Sequence, residues 1–467
     1  MVFVEKKVII GLETHVQLNT MSKLFCGCKT QAVEPNTATC PVCLGHPGAK
    51  PVLNKAAVGM ALKIALALNC KINPEFFFSR KTYFYPDMAK NFQITQYEVP
   101  LGENGHVVLS SGKKILIQRI HLEEDPAALV HEEGMQSSSF SLVDYNRSGL
   151  PLVEIVTTPC IESAAQAREY LNALLGILGY LDVFVLGKNS LKADANISIG
   201  GGERVEVKNV TGFKAVEAAL SFEEKRQKSL AGEGKQIVRE TRGFDEANQS
   251  TFSLRSKETE EDYGYIFEPD IPKIVVSQEW LAELNKSLPE LPEQKARRFQ
   301  KQFNLPDFEA KVICSDRELS TIFEESAKKV EPVFAARFLA RELLGTLNYN
   351  SLSLNELGLK APEIIRLLEL LSSGKVSEKN AKLALIKYAT EKIVPSEFLG
   401  KNNLLIDVTG GDVEKIVEKI LAKNPQALLD VKAGKEKAMN FLVGLAMRET
   451  KGKAQPREIQ KIIKGKI

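Results

Sequence analysis

The sequence has little that could cross-link it, anchor it in a bilayer or charge it strongly to one side. Seven cysteines in 467 residues are too few for a disulfide framework, which excludes a cross-linked secreted scaffold and points to a reducing compartment, the cytoplasm. The most apolar stretch, residues 171–187, is short and carries Asp182, so no segment reaches the length of a membrane span. The opening Met-Val-Phe-Val-Glu-Lys-Lys runs at once into Val8-Ile9-Ile10 and leaves no room for a secretory signal. Net charge is almost absent: 62 Lys and Arg against 59 Asp and Glu sum to +3, weak evidence for a polyanionic partner when taken over the whole chain. A Gly-x-x-x-x-Gly-Lys-Ser/Thr loop is missing, as is a Gly-x-Gly-x-x-Gly after a strand. Any ATP chemistry must therefore use another scaffold, with metal and cationic side chains holding the phosphates.

What is present is ordinary globular material, 44% apolar and 26% charged, enough apolar surface to offset chain entropy. The length suggests about three domains. The texture divides accordingly into an α+β chain. Up to about residue 290, short β-rich runs (7–10, 107–120, 204–208) alternate with Gly, Pro and Asn turns and a few amphipathic helices. All five histidines and six of the seven cysteines lie in this half, before residue 161. Beyond it Leu, Ala, Glu and Lys recur at helical spacing, as in Ala335 through Leu344. Paired glycines near Asp407-Val408-Thr409-Gly410-Gly411 mark a last break. The expected domains are residues 1–293, 294–407 and 408–467. The last carries 13 Lys and Arg against 7 Asp and Glu, a net +6 that leaves the rest at −3. A lysine-rich solvated surface or a phosphate-binding tail both fit.

The strongest local signal is Cys26-x-Cys28 followed after eleven residues by Cys40-x-x-Cys43. Two thiolate pairs on turns can converge tetrahedrally on one soft ion, and four thiolates close the coordination sphere, which predicts a structural Zn²⁺. Cys70, Cys160 and Cys314 are isolated and read as core residues. In Gly11-Leu12-Glu13-Thr14-His15, alternation along a strand puts Glu13 and His15 on one face. His121-Leu122-Glu123-Glu124-Asp125-Pro126 gathers three acids at the end of a β run. Such acids repel one another unless a cation compensates, and carboxylate with imidazole suits Mg²⁺ or Mn²⁺; a solvent-facing acidic turn reads the same way. Asp194 with Asn196, and Glu206 with Lys208, offer further polar pairs on common strand faces. The run Arg80-Lys81-Thr82-Tyr83-Phe84-Tyr85-Pro86-Asp87-Met88-Ala89-Lys90-Asn91-Phe92-Gln93 interleaves cations, aromatics and amides, suited to a nucleotide or to a packed surface loop.

Taken in order, Gly11-Leu-Glu-Thr-His15, Cys40-Pro-Val-Cys-Leu-Gly45, Arg80-Lys-Thr-Tyr-Phe-Tyr-Pro-Asp87, His121-Leu-Glu-Glu-Asp-Pro126, Asp144-Tyr-Asn-Arg-Ser-Gly149, Val205-Glu-Val-Lys-Asn209 and Glu240-Thr-Arg242 resemble the B subunit (GatB) of the tRNA-dependent aspartyl/glutamyl amidotransferases. The likeness extends to Phe441 through Met447 and Thr450 through Pro456, close to the whole chain. The resemblance implies a cradle-shaped α/β catalytic domain, a helical domain and a small helical tail that contacts tRNA through residues such as Lys451, Lys453 and Arg457. It implies that ATP and Mg²⁺ activate the side-chain carboxylate of Glu or Asp misacylated on tRNA(Gln) or tRNA(Asn). Ammonia from a glutaminase partner, the amidase-type A subunit, in an assembly completed by a small C subunit, then displaces phosphate. Glu13, His15, Glu123 and Glu124 are carried over as catalytic, Glu13, His15, Glu124, Asp194 and Glu206 as Mg²⁺ ligands, and Arg80, Lys192 and Lys208 as phosphate contacts. Lys81, Lys90 and Asp270 fall to the ammonia path.

Two positions depart from the family pattern. Ser190-Leu191-Lys192-Ala193-Asp194 has lysine where many relatives have arginine, which replaces a fork by a point charge. Asp262-Tyr263-Gly264-Tyr265 lacks the arginine common between the two tyrosines. The related archaeal E subunit carries an inserted domain for which this length leaves no room. A zinc-containing RNA-binding scaffold without catalysis of its own is the alternative, and the acidic cluster separates the two, since a pure RNA binder has little reason to gather acids where phosphates approach.

Overall fold

The computed structural model describes residues 7–131, 139–256, 263–350, 360–406, 410–432, 435–450 and 456–466, together with Leu352, Leu354, Gly358 and Ala454. Contacts divide the chain between Leu291 and Pro292, against 293 expected.

The first unit is built on alternation. In the strand Val8–Gln17 every second residue from Val8 to Val16 is buried, while Glu13, His15 and Gln17 on the other face are only half covered. This strand lies at the middle of a nine-stranded sheet. On one side come Leu191–Ile199, Val205–Thr211, Glu240–Asp245 and Ser250–Ser256; on the other come Pro151–Thr157, Lys114–Glu124, Gly102–Val108 and Lys71–Ile72. Neighbours are antiparallel except Val205–Thr211 with Glu240–Asp245. The single β run expected over 107–120 is instead a hairpin. Leu109 and Lys113 close it, and Gly112 takes φ +84°, a turn conformation that Ser110-Ser111-Gly112 favours over continued strand.

One face of the sheet is the core. Ile10, Leu12, Ile117, Val153, Ile155, Ala195, Ile197 and Val207 are all but fully buried there, against the helices Lys55–Ala67, Ala164–Tyr180 and Phe213–Gly232. Side chains start the first two helices: Asn54 accepts from the amides of Ala56 and Ala57, and Ser163 from that of Gln166. The other face is where the polar residues of the central strands are collected. A smaller sheet orders Tyr265–Phe267, Ser79–Thr82 and Phe92–Thr95, and it carries Arg80 and Lys81.

The second unit is helical from Pro292 onward. The helix expected over 335–344 is interrupted by a π-helical turn, Phe338–Leu343, between Pro332–Arg337 and Leu344–Tyr349. Two apolar clusters are distinct among the described residues. One contains Phe299, Ile313, Phe323, Leu339, Leu368 and Leu385, the other Val413, Val417, Leu442, Ala446, Ile459 and Ile463. The boundary expected at 407/408 lies outside the described residues. Among the described residues no helix is long and apolar enough to cross a membrane.

Candidate active site

Three adjacent strands bring His15, Glu154 and His121 into one row: His15 is opposite Glu154, and Glu154 is opposite His121. Glu123 stands two residues beyond His121, on the same side of its strand. Nε2 of His121 lies 3.0 Å from Oε2 of Glu154 and 3.6 Å from Oε2 of Glu123. Nε2 of His15 lies 3.6 Å from Oε2 of Glu154 and 3.7 Å from Oε1 of Glu123. Burial works against a charged imidazole at His15, but the hydrogen bond and charge of Glu154, with Glu123 and Asp194 behind it, outweigh burial and raise its pKa to about 10. Burial likewise opposes the charge on His121, and the same two glutamates raise its pKa to about 9. In return, and against their own burial, Glu123 and Glu154 are held below the usual carboxylate range by the imidazoles.

The sequence reading did not single out Glu154. Its signal is a lone acid inside Pro151-Leu-Val-Glu-Ile-Val-Thr157, where the other residues are buried. An ionisable group in the middle of such a strand must be paired. His121 owes its place to the same register; its Nδ1 is buried without a hydrogen-bond partner among the described residues.

One ligand atom from each of His15, Glu123 and Glu154 lies within 4.8 Å of the other two. Adjacent donors at about 2.1 Å from an octahedral Mg²⁺ or Mn²⁺ ion stand about 3.0 Å apart, so His15, at 3.6 and 3.7 Å from the two carboxylates, would close in by about half an ångström to share a hard divalent cation with them. Such an ion would replace the proton that now sits on His15.

Away from this triad the polar row continues. Glu13 is opposite Asp194, and its Oε1 accepts from Nδ2 of Asn196 at 3.0 Å. Asn196 is opposite Glu206, whose Oε2 accepts from the Thr241 hydroxyl at 3.0 Å, while Nζ of Lys208 stands 3.9 Å from Oε1 of Glu206. Lys192 is opposite His15. Beyond Glu124, burial raises the Asp125 carboxyl to about 6, partly offset by the charges of Arg147 and Lys192.

Glu124 is not brought to the triad, because consecutive strand residues face opposite ways. Its Oε1 accepts from the Lys90 ammonium and from the amide of Ile94. Arg80 is engaged in a two-pronged pair with Glu268, at 2.8 and 2.9 Å, and lies 3.5 Å from Asp270. Asp270 also pairs with Lys50 at 3.0 Å. The ammonium of Lys81 lies over the Tyr263 ring, 4.7 Å from its centre.

Sγ atoms of Cys26, Cys28, Cys40 and Cys43 all lie within 4.8 Å of one another, and those of Cys40 and Cys43 are 3.9 Å apart. A tetrahedron of sulfurs at about 2.3 Å from Zn²⁺ has edges of about 3.8 Å, so the donor set fits. A hydrogen bond from the Cys26 thiol is the largest influence holding the Cys43 thiol below its ordinary range. The turn is closed by the amides of Leu44, on Cys40, and Gly45, on Val42. Lys451 and Lys453 lie outside the described residues, and so does the side chain of Arg457 in the helix Pro456–Gly465.

Comparison with known proteins follows this division. Residues 8–282 match the family described as the GatB/GatE catalytic domain, and residues 321–467 match the GatB domain family. The chain is 42% identical to the B subunit of an aspartyl/glutamyl-tRNA(Asn/Gln) amidotransferase from Carboxydothermus hydrogenoformans, over 99% of both chains. It is 44% identical to a protein so named from Thermotoga maritima, over 98% of this chain and 99% of the other. One from Methanococcoides burtonii is 43% identical, over 98% and 97%.

Proposed function

The chain belongs to the GatB family, the B subunits of aspartyl/glutamyl-tRNA(Asn/Gln) amidotransferases, and from that premise we propose that it is the component in which the misacylated amino acid is activated and amidated. The reaction class is C–N ligation within an amidotransferase of several subunits that acts on tRNA. A carboxylate resists attack by ammonia because oxide would have to leave. Transfer of the γ-phosphoryl group of ATP to the side-chain carboxylate gives an acyl phosphate and ADP; ammonia then attacks the acyl carbon and phosphate leaves, giving the amide.

The observation that carries this reading is the His15–Glu123–Glu154 cluster on a polar sheet face, extended by Glu13, Asp194 and Glu206. It combines hard donors and excess negative charge where an anionic substrate must be met, an arrangement that makes sense with cations present. When bound there, Mg²⁺ supplies Lewis-acid stabilisation of the transferring phosphoryl group. The chain's own part is to hold the donors in register. Glu13 and Asp194 face each other across two strands, Thr241 orients Glu206, and Lys192 and Lys208 provide positive charge beside them. Arg80 contributes through its pair with Glu268, which spans Ser79–Thr82 and the segment after Tyr265–Phe267.

The finer assignments belong to the same proposal: an amidase-type A subunit and a small C subunit as partners, ammonia led past Asp270, Lys81 and Lys90, and Zn²⁺ at the four cysteines. The domains proposed are a catalytic one ending near 291–293, a helical one to 407, and a tRNA-binding tail carrying Lys451, Lys453 and Arg457. The test is ATP-dependent phosphate release by the assembled enzyme, stimulated by Glu-tRNA(Gln) or Asp-tRNA(Asn). Replacing His15 by Ala should abolish it while tRNA binding persists. Unchanged turnover in His15→Ala would overturn the site assignment, whereas no tRNA-stimulated phosphate release from the intact assembly would favour the non-catalytic RNA-binding scaffold.

A further inference from the structure

The turn that carries Cys40 and Cys43 also lies against Lys90. A side-chain carbon placed on Gly45 would stand 2.7 Å from Cγ of Lys90 and 3.0 Å from the carbonyl oxygen of Ala89, closer than carbon atoms pack. Glycine is needed there for its backbone as well, because φ is +66°. Gly149, at φ +84°, marks a second point of approach. A carbon placed on it would meet Cδ of Lys23 at 3.6 Å, Cβ of Cys43 at 3.7 Å and Oε2 of Glu124 at 3.9 Å. Cys43 and Glu124 therefore border the same small volume, together with the stem of Lys23.

Hydrogen bonds tie these pieces together. The hydroxyl of Ser148 donates to the carbonyl of Cys43 at 3.0 Å, and the amide of Gly149 donates to that of Asp125 at 2.9 Å. Segment 148–149 thus links the cysteine turn to the end of the strand bearing Glu124. Lys23 is fully buried, and its ammonium donates to the carbonyl of Tyr145 at 3.1 Å. Phe25, beside Cys26, and Phe92 place their ring centres 6.0 and 5.4 Å from the Lys90 ammonium.

From these contacts we propose that the cysteine turn is a clamp on Lys90, so that a metal ion held by the four thiolates keeps the Lys90 ammonium seated on Glu124. Without the ion, the pairs Cys26/Cys28 and Cys40/Cys43 lose the centre that ties them together and can separate. The turn then moves, Gly45 withdraws from Lys90, and the lysine gains freedom that costs it the pair with Glu124. The cluster thereby acts beyond its own loop: Gly45 is a positioning residue for Lys90, and metal occupancy becomes a condition for the Lys90–Glu124 pair. Only the catalytic consequence rests on the amidotransferase reading.

The experiment is amine acylation of the intact multi-protein complex, with labelling of each lysine followed by peptide mass spectrometry. Three forms are compared: zinc-loaded, stripped with a chelator, and Gly45→Ala, which keeps every cysteine. Stripping should speed labelling of Lys90 about tenfold, as expected for loss of a local contact, while exposed Lys71 reacts at an unchanged rate. Gly45→Ala should do the same with its zinc still bound. Equal Lys90 rates in all three forms would overturn the clamp; so would a parallel rise at Lys71, which would mean that the metal only keeps the domain folded. In the same preparations, the ratio of glutamine-driven to ammonia-driven amide formation should fall in Gly45→Ala. A complex that makes no amide from either source, yet shows the Lys90 response, would refute the amidotransferase reading and leave the clamp standing.

Discussion

Nε2 of His121 lies 3.0 Å from Oε2 of Glu154, and Nε2 of His15, from the strand on the other side, approaches the same oxygen at 3.6 Å. One carboxylate on the middle strand is thus shared by two imidazoles on its neighbours, with Glu123 completing a set of two anions and two proton carriers. Without a metal the set neutralises itself through protonated histidines; with one, His15 becomes free to ligate.

Glu154→Gln keeps the size of the side chain and removes its charge. Expected is a loss of about 100-fold or more in Mn²⁺ affinity, measured by electron paramagnetic resonance, with a parallel loss of amide formation. Wild-type Mn²⁺ binding in this variant would remove Glu154 from the ligand set.

The two histidines set a pH dependence in the metal-free chain. Their folded pKa values, about 10 for His15 and about 9 for His121, lie above the ordinary 6.5. Their contribution to stability is therefore fully present below about pH 6.5 and is lost as pH rises through 9 and 10. Glu123 and Glu154 are shifted down, so their contribution is present above their ordinary value of 4.5 and fades as acid protonates them. Thermal unfolding against pH should show a plateau between about pH 4.5 and 6.5 and a fall that begins above it and continues through pH 9 to 10. His121→Gln should flatten that alkaline fall; an identical profile would show that the imidazole carries none of it.

Thr241 holds Glu206 from the neighbouring strand and is itself almost fully buried. Thr241→Val keeps the shape and removes the donor, which should cost about 1–2 kcal/mol of stability. Amidation should drop while the KM for glutamine at the partner's site stays constant. A change in glutamine KM instead would place the effect elsewhere.

Deleting residues 408–467 removes the net charge of +6. The expected result is weaker tRNA binding with a shallower dependence on salt, since fewer phosphate contacts release fewer counterions. A salt slope equal to that of the intact chain would assign the phosphate contacts to other segments.

Much of this protein is local and could be read from its residues. Alternation alone put Glu13 and His15 on one face of a strand, paired spacing announced the four-cysteine cluster, and helical periodicity marked everything after about residue 290. Ordered motifs identified the family. What lay beyond reach was set by partners far apart in the chain. Glu154 joins His15 and His121 only because antiparallel pairing at one particular register places three strands side by side. Consecutive Glu123 and Glu124 look alike in sequence, yet the pleat sends one to the histidines and the other to Lys90. Gly45 is only the last residue of a motif in the sequence, and Lys90 is found against it in the fold. Side-chain period follows from backbone geometry and is written into each segment, whereas register and close approach depend on which surfaces bury one another, and that is settled only when the whole sheet and its loops pack.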